Sequence, residues 1–307
     1  GTFPLAGVTI CGGTHIVIPF FHPETVATVI AGERVTASMF VPTMFALLRD
    51  YLEEHSAELG SMVDIAYGAA PISETLLQQA MKMFPNGRFR QVYGQSEVAG
   101  CATILEPRFH NAGPRGNSVL RSAGRPVFGF EVKIVDEQMQ ERPRGEVGEI
   151  AIRSPGAMLG YWQQPELTQQ TVIEGWVRTG DAAYMDEDGF VFVVDRVKDM
   201  IVSGGENVYS AEVENVLSSH PAVAACAVIG VPDAKWGERV HAIVVLKENC
   251  ALATEALIAH CRTTIASYKC PRSVEIRKEP LPVSGAGKIL KTELRRPYWQ
   301  QQARSVG

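Results

Sequence analysis

Residues 281–290 read LPVSGAGKIL, which sets a lysine behind small, pliable residues near the end of a 307-residue chain. Glycine allows backbone to approach a charged ligand closely, so Gly285-Ala286-Gly287-Lys288 suggests phosphate chemistry. It is not a nucleotide-binding P-loop. That pattern requires glycine at 282, where Pro282 stands, and serine or threonine after the lysine, where Ile289 stands. His260-Cys261 has the residue types of a base and its nucleophile, but successive residues on a helix do not face each other. The other cysteines (Cys11, Cys101, Cys226, Cys250, Cys270) form no CxxC pair, and several lie in apolar stretches that suit buried free thiols rather than disulfides or zinc ligands. None of the 7 histidines has the spacing of a metal site or a catalytic triad.

These side chains need a scaffold, and the first hundred residues alternate between helix and strand patterns. From Pro23 to Tyr51, apolar residues recur at three- and four-residue intervals around a β-branched run near Val35–Val41, which predicts helix, strand, helix. VDIAYGAAP (63–71) and RFRQVYGQSE (88–97) each read as a buried strand ending in glycine and a loop, with SETLLQQAMKMF as the intervening helix. In open α/β sheets, the loops beyond the strands' carboxyl ends are where ligands bind. Between about 120 and 195 the texture turns to short strands and glycine turns, a β-rich subdomain. A new alternation follows: a helix over 211–219 capped by Ser210, strands AACAVIGV and RVHAIVVL, a helix near 254–266 and a strand SVEIRK. A domain boundary is expected near Lys198.

With 46% hydrophobic residues, 21% charged residues and a net charge of -5, the composition is that of a globular chain without the basic excess of a nucleic-acid binder. No apolar run approaches the ~20 residues needed to span a bilayer, and the first residues lack a signal-peptide pattern, so no membrane span and a cytoplasmic location are the expectations.

Six segments occur in a fixed order: GAAP (68–71), YGQSE (93–97), GEVGEIAIRSPGAMLGY (145–161), WVRTGD (176–181), DRVKDMIVSGGENVYSAEVE (195–214) and LPVSGAGKILKTELR (281–295). Together they resemble the adenylate-forming (AMP-binding) superfamily of acyl-CoA synthetases, aryl-CoA ligases, luciferase-like enzymes and peptide-synthetase adenylation domains, over almost the whole chain. The resemblance implies a mixed α/β fold. A partial AMP-binding domain would cover 1–197, with an α/β part over about 1–118 and a β-rich part over about 119–197. A small mobile lid domain would follow over 198–307. It also implies ligation of a carboxylic acid to CoA, using ATP and Mg2+, through an acyl-adenylate. Two anions must then meet, so cations are needed to offset their charge.

By the same resemblance, Lys288 is the catalytic lysine that reaches carboxylate and α-phosphate, and Glu97 is the Mg2+ carboxylate. Gly68, Ala69 and Ala70 resemble the segment along the base and acyl group. Tyr93 and Val193 resemble the two residues that flank adenine, and Gly94 and Ser96 belong to the same nucleotide motif. Asp181 and Arg196 resemble the ribose ligands. Lys198 falls at the hinge, and Gly204 and Gly205 at the wall of the pantetheine path, where absent side chains permit close approach. On residue type alone, Glu97 could equally be a surface charge, Tyr93 or Val193 core packing, Asp181 a turn residue, and Gly204-Gly205 a plain turn.

Against that family, the chain corresponds to about the C-terminal three-fifths, without the Ser/Thr/Gly-rich loop that wraps the outer phosphates. Weak or absent complete activity is therefore expected of the chain alone, along with apolar surface that a homodimer would be one way to cover. An aryl-acid CoA ligase, a carrier-protein-loading enzyme and a non-catalytic module are the competing readings.

Overall fold

The computed structural model describes residues 2–110, 116–284 and 289–304. They divide into two compact units, Gly1–Thr179 with Tyr184–Val193, and Gly180–Ala183 with Val194–Gly307. The fold is mixed α/β.

The first unit opens with α1 (Thr2–Ile10), α2 (Pro23–Glu33), β1 (Ala37–Phe40) and α3 (Pro42–Glu54). Pro23 and Pro42 occupy the first turns of their helices, where a missing N–H costs nothing. β2 (Asp64–Gly68), α4 (Glu74–Met83) and β3 (Arg88–Tyr93) follow, and Ser73 caps α4 by accepting the Leu76 N–H at 3.2 Å. β1, β2 and β3 run parallel, with Gly68 opposite Val92. β4 (Thr103–Leu105) and β5 (Arg125–Pro126) extend the sheet antiparallel, in the order β1-β2-β3-β4-β5. Phe40, Phe45, Tyr67, Phe84 and Phe89 form an aromatic core against its helices, with the Phe40 and Phe45 rings stacked at 5.0 Å.

A second sheet contains β6 (Glu131–Val135), β7 (Gly148–Arg153), β9 (Trp176–Met185) and β10 (Val191–Arg196) in the order β10-β9-β7-β6. The short helix α5 (Pro165–Thr171) precedes β8 (Val172–Ile173), which pairs with β9. This is the β-rich texture of the sequence. The turn between β9 and β10 is closed by Asp186, whose carboxylate accepts the N–H groups of Asp188 and Phe190.

In the second unit a hairpin of β11 (Ile201–Ser203) and β12 (Glu206–Val208) leads to α6 (Ser210–Ser218). The long hairpin of β13 (Val223–Asp233) and β14 (Gly237–Leu246), α7 (Thr254–Arg262), β15 (Ser273–Arg277) and α8 (Lys291–Arg304) complete it. β15 lies parallel to β14, and Val213, Leu217, Val228, Val244 and Leu257 pack the core. Among the described residues, no helix is long and apolar enough to cross a membrane.

Two helix boundaries differ from expectation. Ser210 does not cap α6 but is its first residue; its hydroxyl is drawn to Asp195, and Tyr209 holds the cap position. The helix expected near 254–266 ends at Arg262, where the Thr263 hydroxyl bonds the His260 carbonyl at 2.7 Å and competes with the helical ladder.

Cys101, Cys226, Cys261 and Cys270 are buried free thiols, and burial pushes Cys226 up to about 12 and Cys261 up to about 11. Such thiols are inert at neutral pH. The His260 ring bonds Ser219 and the Val216 carbonyl, so it is not paired with Cys261.

Candidate functional site

In the first unit, the loops leaving the carboxyl ends of the parallel strands β2 and β3 carry seven of the predicted residues. Gly68 ends β2 where backbone presses on backbone: a Cβ there would lie 2.1 Å from the Val92 carbonyl oxygen. Ala69 then turns the chain at φ +67, a left-handed conformation that costs a non-glycine residue about 1–2 kcal/mol. Strain of that kind persists where surrounding structure holds it, commonly at ligand sites. Ala70 follows, half-buried.

Tyr93 ends β3, paired with Thr103, and Gly94 begins the next loop under similar pressure, since a Cβ would meet the Gly100 oxygen at 2.8 Å. The loop is folded on itself. Val98 and Gly100 both donate N–H to the Gln95 carbonyl, Ala99 donates to Ser96, and the Ala102 N–H returns to the Tyr93 carbonyl at 2.8 Å. Ser96 is exposed and Glu97 half-buried at its tip.

The Glu97 carboxylate accepts the Tyr161 hydroxyl at 2.8 Å, and the Glu97 carbonyl accepts the Met158 N–H at 2.7 Å. Burial, followed by the bond to Glu97 and its charge, raises the Tyr161 phenol above its ordinary range, so it remains a proton donor at neutral pH. Tyr161 was not singled out from sequence. Its one signal is its place at the end of the GAMLGY segment. The Thr168 hydroxyl positions it by accepting its N–H at 2.9 Å.

Behind β2, the buried Tyr67 hydroxyl meets His110 at 2.9 Å. Burial lowers His110 to about 4 and raises Tyr67, so a neutral pair supports the strand. Val193 lies half-buried on β10, in the second sheet, whereas Tyr93 belongs to the first.

Among the described residues, no three His, Cys, Asp or Glu side chains gather as a metal cage. One carboxylate, Glu97, stands at the loop tip. That donor set fits Mg2+, which dehydrates reluctantly and is held through one or two carboxylates plus phosphate oxygens.

In the second unit, Asp181 on β9 and Arg196 at the end of β10 come together, with the guanidinium Nε 3.9 Å from the carboxylate. The Arg196 side chain is 48% exposed, so the pair contributes little to stability. Lys198 follows, exposed in the turn Val197–Asp199, whose Asp199 is buried. Its carbonyl accepts an N–H from Arg295 of α8 at 3.0 Å, and the same guanidinium lies 3.5 Å from Asp199.

Gly204 and Gly205 form the two-residue turn between β11 and β12, at φ +64 and +86, the conformation a tight hairpin requires. They differ in surroundings. A Cβ on Gly204 would strike the Trp236 ring at 2.5 Å, whereas one on Gly205 would meet nothing within 4 Å. Lys288 and the three residues before it lie outside the described residues. The segment's base is described: Val283 bridges Ile289, and the Leu290 N–H bonds the Pro282 carbonyl at 2.8 Å.

Comparison with known proteins gives this geometry a context. Residues 1–162 match the family described as AMP-binding enzyme, and residues 212–288 match the AMP-binding enzyme C-terminal domain. The chain is 41% identical over 305 residues to a medium/long-chain-fatty-acid–CoA ligase of Mycobacterium tuberculosis, covering 97% of this chain and 52% of the relative. It is 43% identical over 288 residues to a feruloyl-CoA synthase of Amycolatopsis, covering 94% and 57% respectively. A solved structure of o-succinylbenzoate CoA synthetase from Bacillus subtilis, in complex with its acyl-adenylate intermediate, superposes with a TM-score of 0.83 at 34% identity, over 95% of this chain and 57% of that one. The chain thus spans about half the length of the curated relatives it matches.

Proposed function

The chain belongs to the AMP-binding enzyme family, and from that premise we propose that it serves an AMP-forming acid–thiol ligase, activating a fatty or similar carboxylic acid as its adenylate and passing the acyl group to CoA. The observation that carries this reading is the meeting of Asp181 with Arg196, which lie apart in sequence but form one carboxylate–guanidinium pair. A fixed carboxylate accepts hydrogen bonds from both ribose hydroxyls, and a planar multi-donor head suits the ribose and phosphate oxygens beside them.

In the first step the acid's carboxylate oxygen attacks the α-phosphorus and pyrophosphate leaves. The approach of two anions calls for a cation, which is the role assigned to Lys288. Charge stabilisation of this kind is often the largest single contribution to catalysis. Gly68, Ala69 and Ala70 would let base and acyl group lie against backbone, with Tyr93 and Val193 packing on adenine and Gly94 and Ser96 shaping the same loop. Glu97, held in orientation by Tyr161, would hold a divalent cation, which when bound neutralises charge on the phosphate oxygens. In the second step the CoA sulfur attacks the acyl carbon and AMP leaves. Gly204 and Gly205 would border the thiol's path, and a pivot at Lys198 would exchange the two arrangements.

The relatives favour a fatty acid and also an aryl acid, since one is a feruloyl-CoA synthase. Competition between a medium-chain and a phenylpropenoic acid separates these substrates, and exchange with CoA against a carrier protein separates the thiols.

The experiment that tests the reading is calorimetry of the full chain with a non-hydrolysable acyl-sulfamoyl adenosine. Asp181→Ala should weaken binding about 10- to 100-fold, as expected for loss of hydrogen bonds to a charged group. Equal binding by wild type and variant would refute the ribose assignment.

A further inference from the structure

We propose that Lys291 is a positioning residue for Lys288, tying the segment that carries it to the strand that carries Arg196; the proposal rests on the ligase reading above. Every residue of this tie belongs to the second unit. Lys291 opens α8 with its side chain only 13% exposed, an uncommon place for a lysine. Its ammonium donates to the Ser210 hydroxyl oxygen at 2.5 Å and lies 2.7 Å from a Glu214 carboxylate oxygen. That same Glu214 oxygen accepts the Val228 N–H at 2.7 Å.

Ser210 is wholly buried and gives both its hydroxyl and its backbone N–H to one oxygen of Asp195, at 2.7 and 2.5 Å. The other Asp195 oxygen accepts the Arg196 N–H at 2.7 Å. One enclosed ammonium therefore joins the start of α8 to α6, to β13 through Glu214, and to the end of β10 through Ser210 and Asp195.

Such a network is a poor device for stability alone. Removing an ammonium from water is costly, and well-packed apolar residues commonly serve as well. Its use is registry, the best-attested role of buried polar groups. Three residues of backbone separate Lys291 from Lys288, and a chain of that length spans at most about 10–11 Å. Holding Lys291 thus restricts where Lys288 can be carried. The Val283–Ile289 bridge and the Leu290–Pro282 bond hold the same base from the other side.

The test compares Lys291→Gln and Lys291→Arg with wild type in the full chain. If Lys291 acts through Lys288, Lys291→Gln should lower kcat for adenylate formation about tenfold with the KM for ATP within about twofold, and arginine should restore most of the loss. Thioester formation from supplied acyl-adenylate should remain within about twofold of wild type. Equal losses in both steps, or lower thermal stability with no change in either, would overturn the proposal.

Amine acetylation read by mass spectrometry distinguishes this failure from failure of the ligase reading. Lys291 should label about tenfold more slowly than exposed Lys198, and Lys291→Gln should change the labelling rate of Lys288 about threefold or more, because amine reactivity follows environment. If the labelling pattern holds while wild type forms no adenylate, the ligase reading fails and the coupling of the two lysines stands. If Lys291 labels as fast as Lys198, or Lys288 is indifferent to Lys291→Gln, the positioning role is overturned whatever the chemistry.

Discussion

Tyr161 reaches Glu97 from 64 residues away, so no local pattern joins them. On the proposed reading Glu97 holds the divalent cation, and removing a hydrogen bond that orients such a carboxylate commonly costs about 10- to 100-fold in metal affinity. Tyr161→Phe should accordingly raise the Mg2+ concentration needed for half-maximal adenylate formation by about tenfold, checked by titrating the metal at saturating ATP. An unchanged titration would separate Tyr161 from the metal. His110 gives a second prediction at this scale. Burial lowers its folded pKa to about 4, whereas an unfolded histidine titrates near 6.5, so the unfolded chain binds the extra proton first. Stability should be full above pH ~6.5 and fall as pH drops towards ~4, by up to about 3 kcal/mol from this group. Urea unfolding of wild type and His110→Phe across that range should show a steeper pH slope in wild type.

The glycine pair of the β11–β12 turn separates two kinds of constraint at the scale of an element. Gly204 needs both a positive φ and the absence of a Cβ against Trp236, while Gly205 needs only the positive φ. Gly205→Ala should cost about 1 kcal/mol and Gly204→Ala about 2–3 kcal/mol, the excess being overpacking against the indole. In a Trp236→Ala background that excess should vanish, a double-mutant cycle read by thermal unfolding. Ser73 caps α4, and Ser73→Ala should cost about 1 kcal/mol. Ser210 was read as the same kind of cap and was not one. Serine before an apolar periodic run is the signature in both places, but at 210 a buried carboxylate from β10 takes the hydroxyl. Capping is a local competition that a distant partner can win.

Each unit holds its own core, and that sets a prediction for the whole molecule. Phe45 is fully buried among Phe40, Tyr67, Phe84 and Phe89, so Phe45→Ala should destabilise the first unit by about 3–5 kcal/mol. Hydrogen exchange should rise in β2 and β3 while β13 and β14 keep their protection. Equal loss of protection in both would mean that the chain unfolds as one body.

The sequence by itself determined the alternation of helix and strand from α2 to β3 and from α6 to β15, and the chemical types at Lys288, Glu97, Asp181 and Arg196. Periodicity and side-chain chemistry are properties of the chain and need no partner. Even the strand ends at Gly68 and Tyr93 were readable, because glycine and the loss of apolar alternation mark them locally. Tertiary structure alone decided that Asp181 meets Arg196, that Tyr161 orients Glu97, that Trp236 forbids a side chain on Gly204, and that Lys291 is enclosed by Ser210 and Glu214. Each of these depends on which distant backbones pack together, a choice made by burial of the whole apolar surface and written in no short stretch of residues.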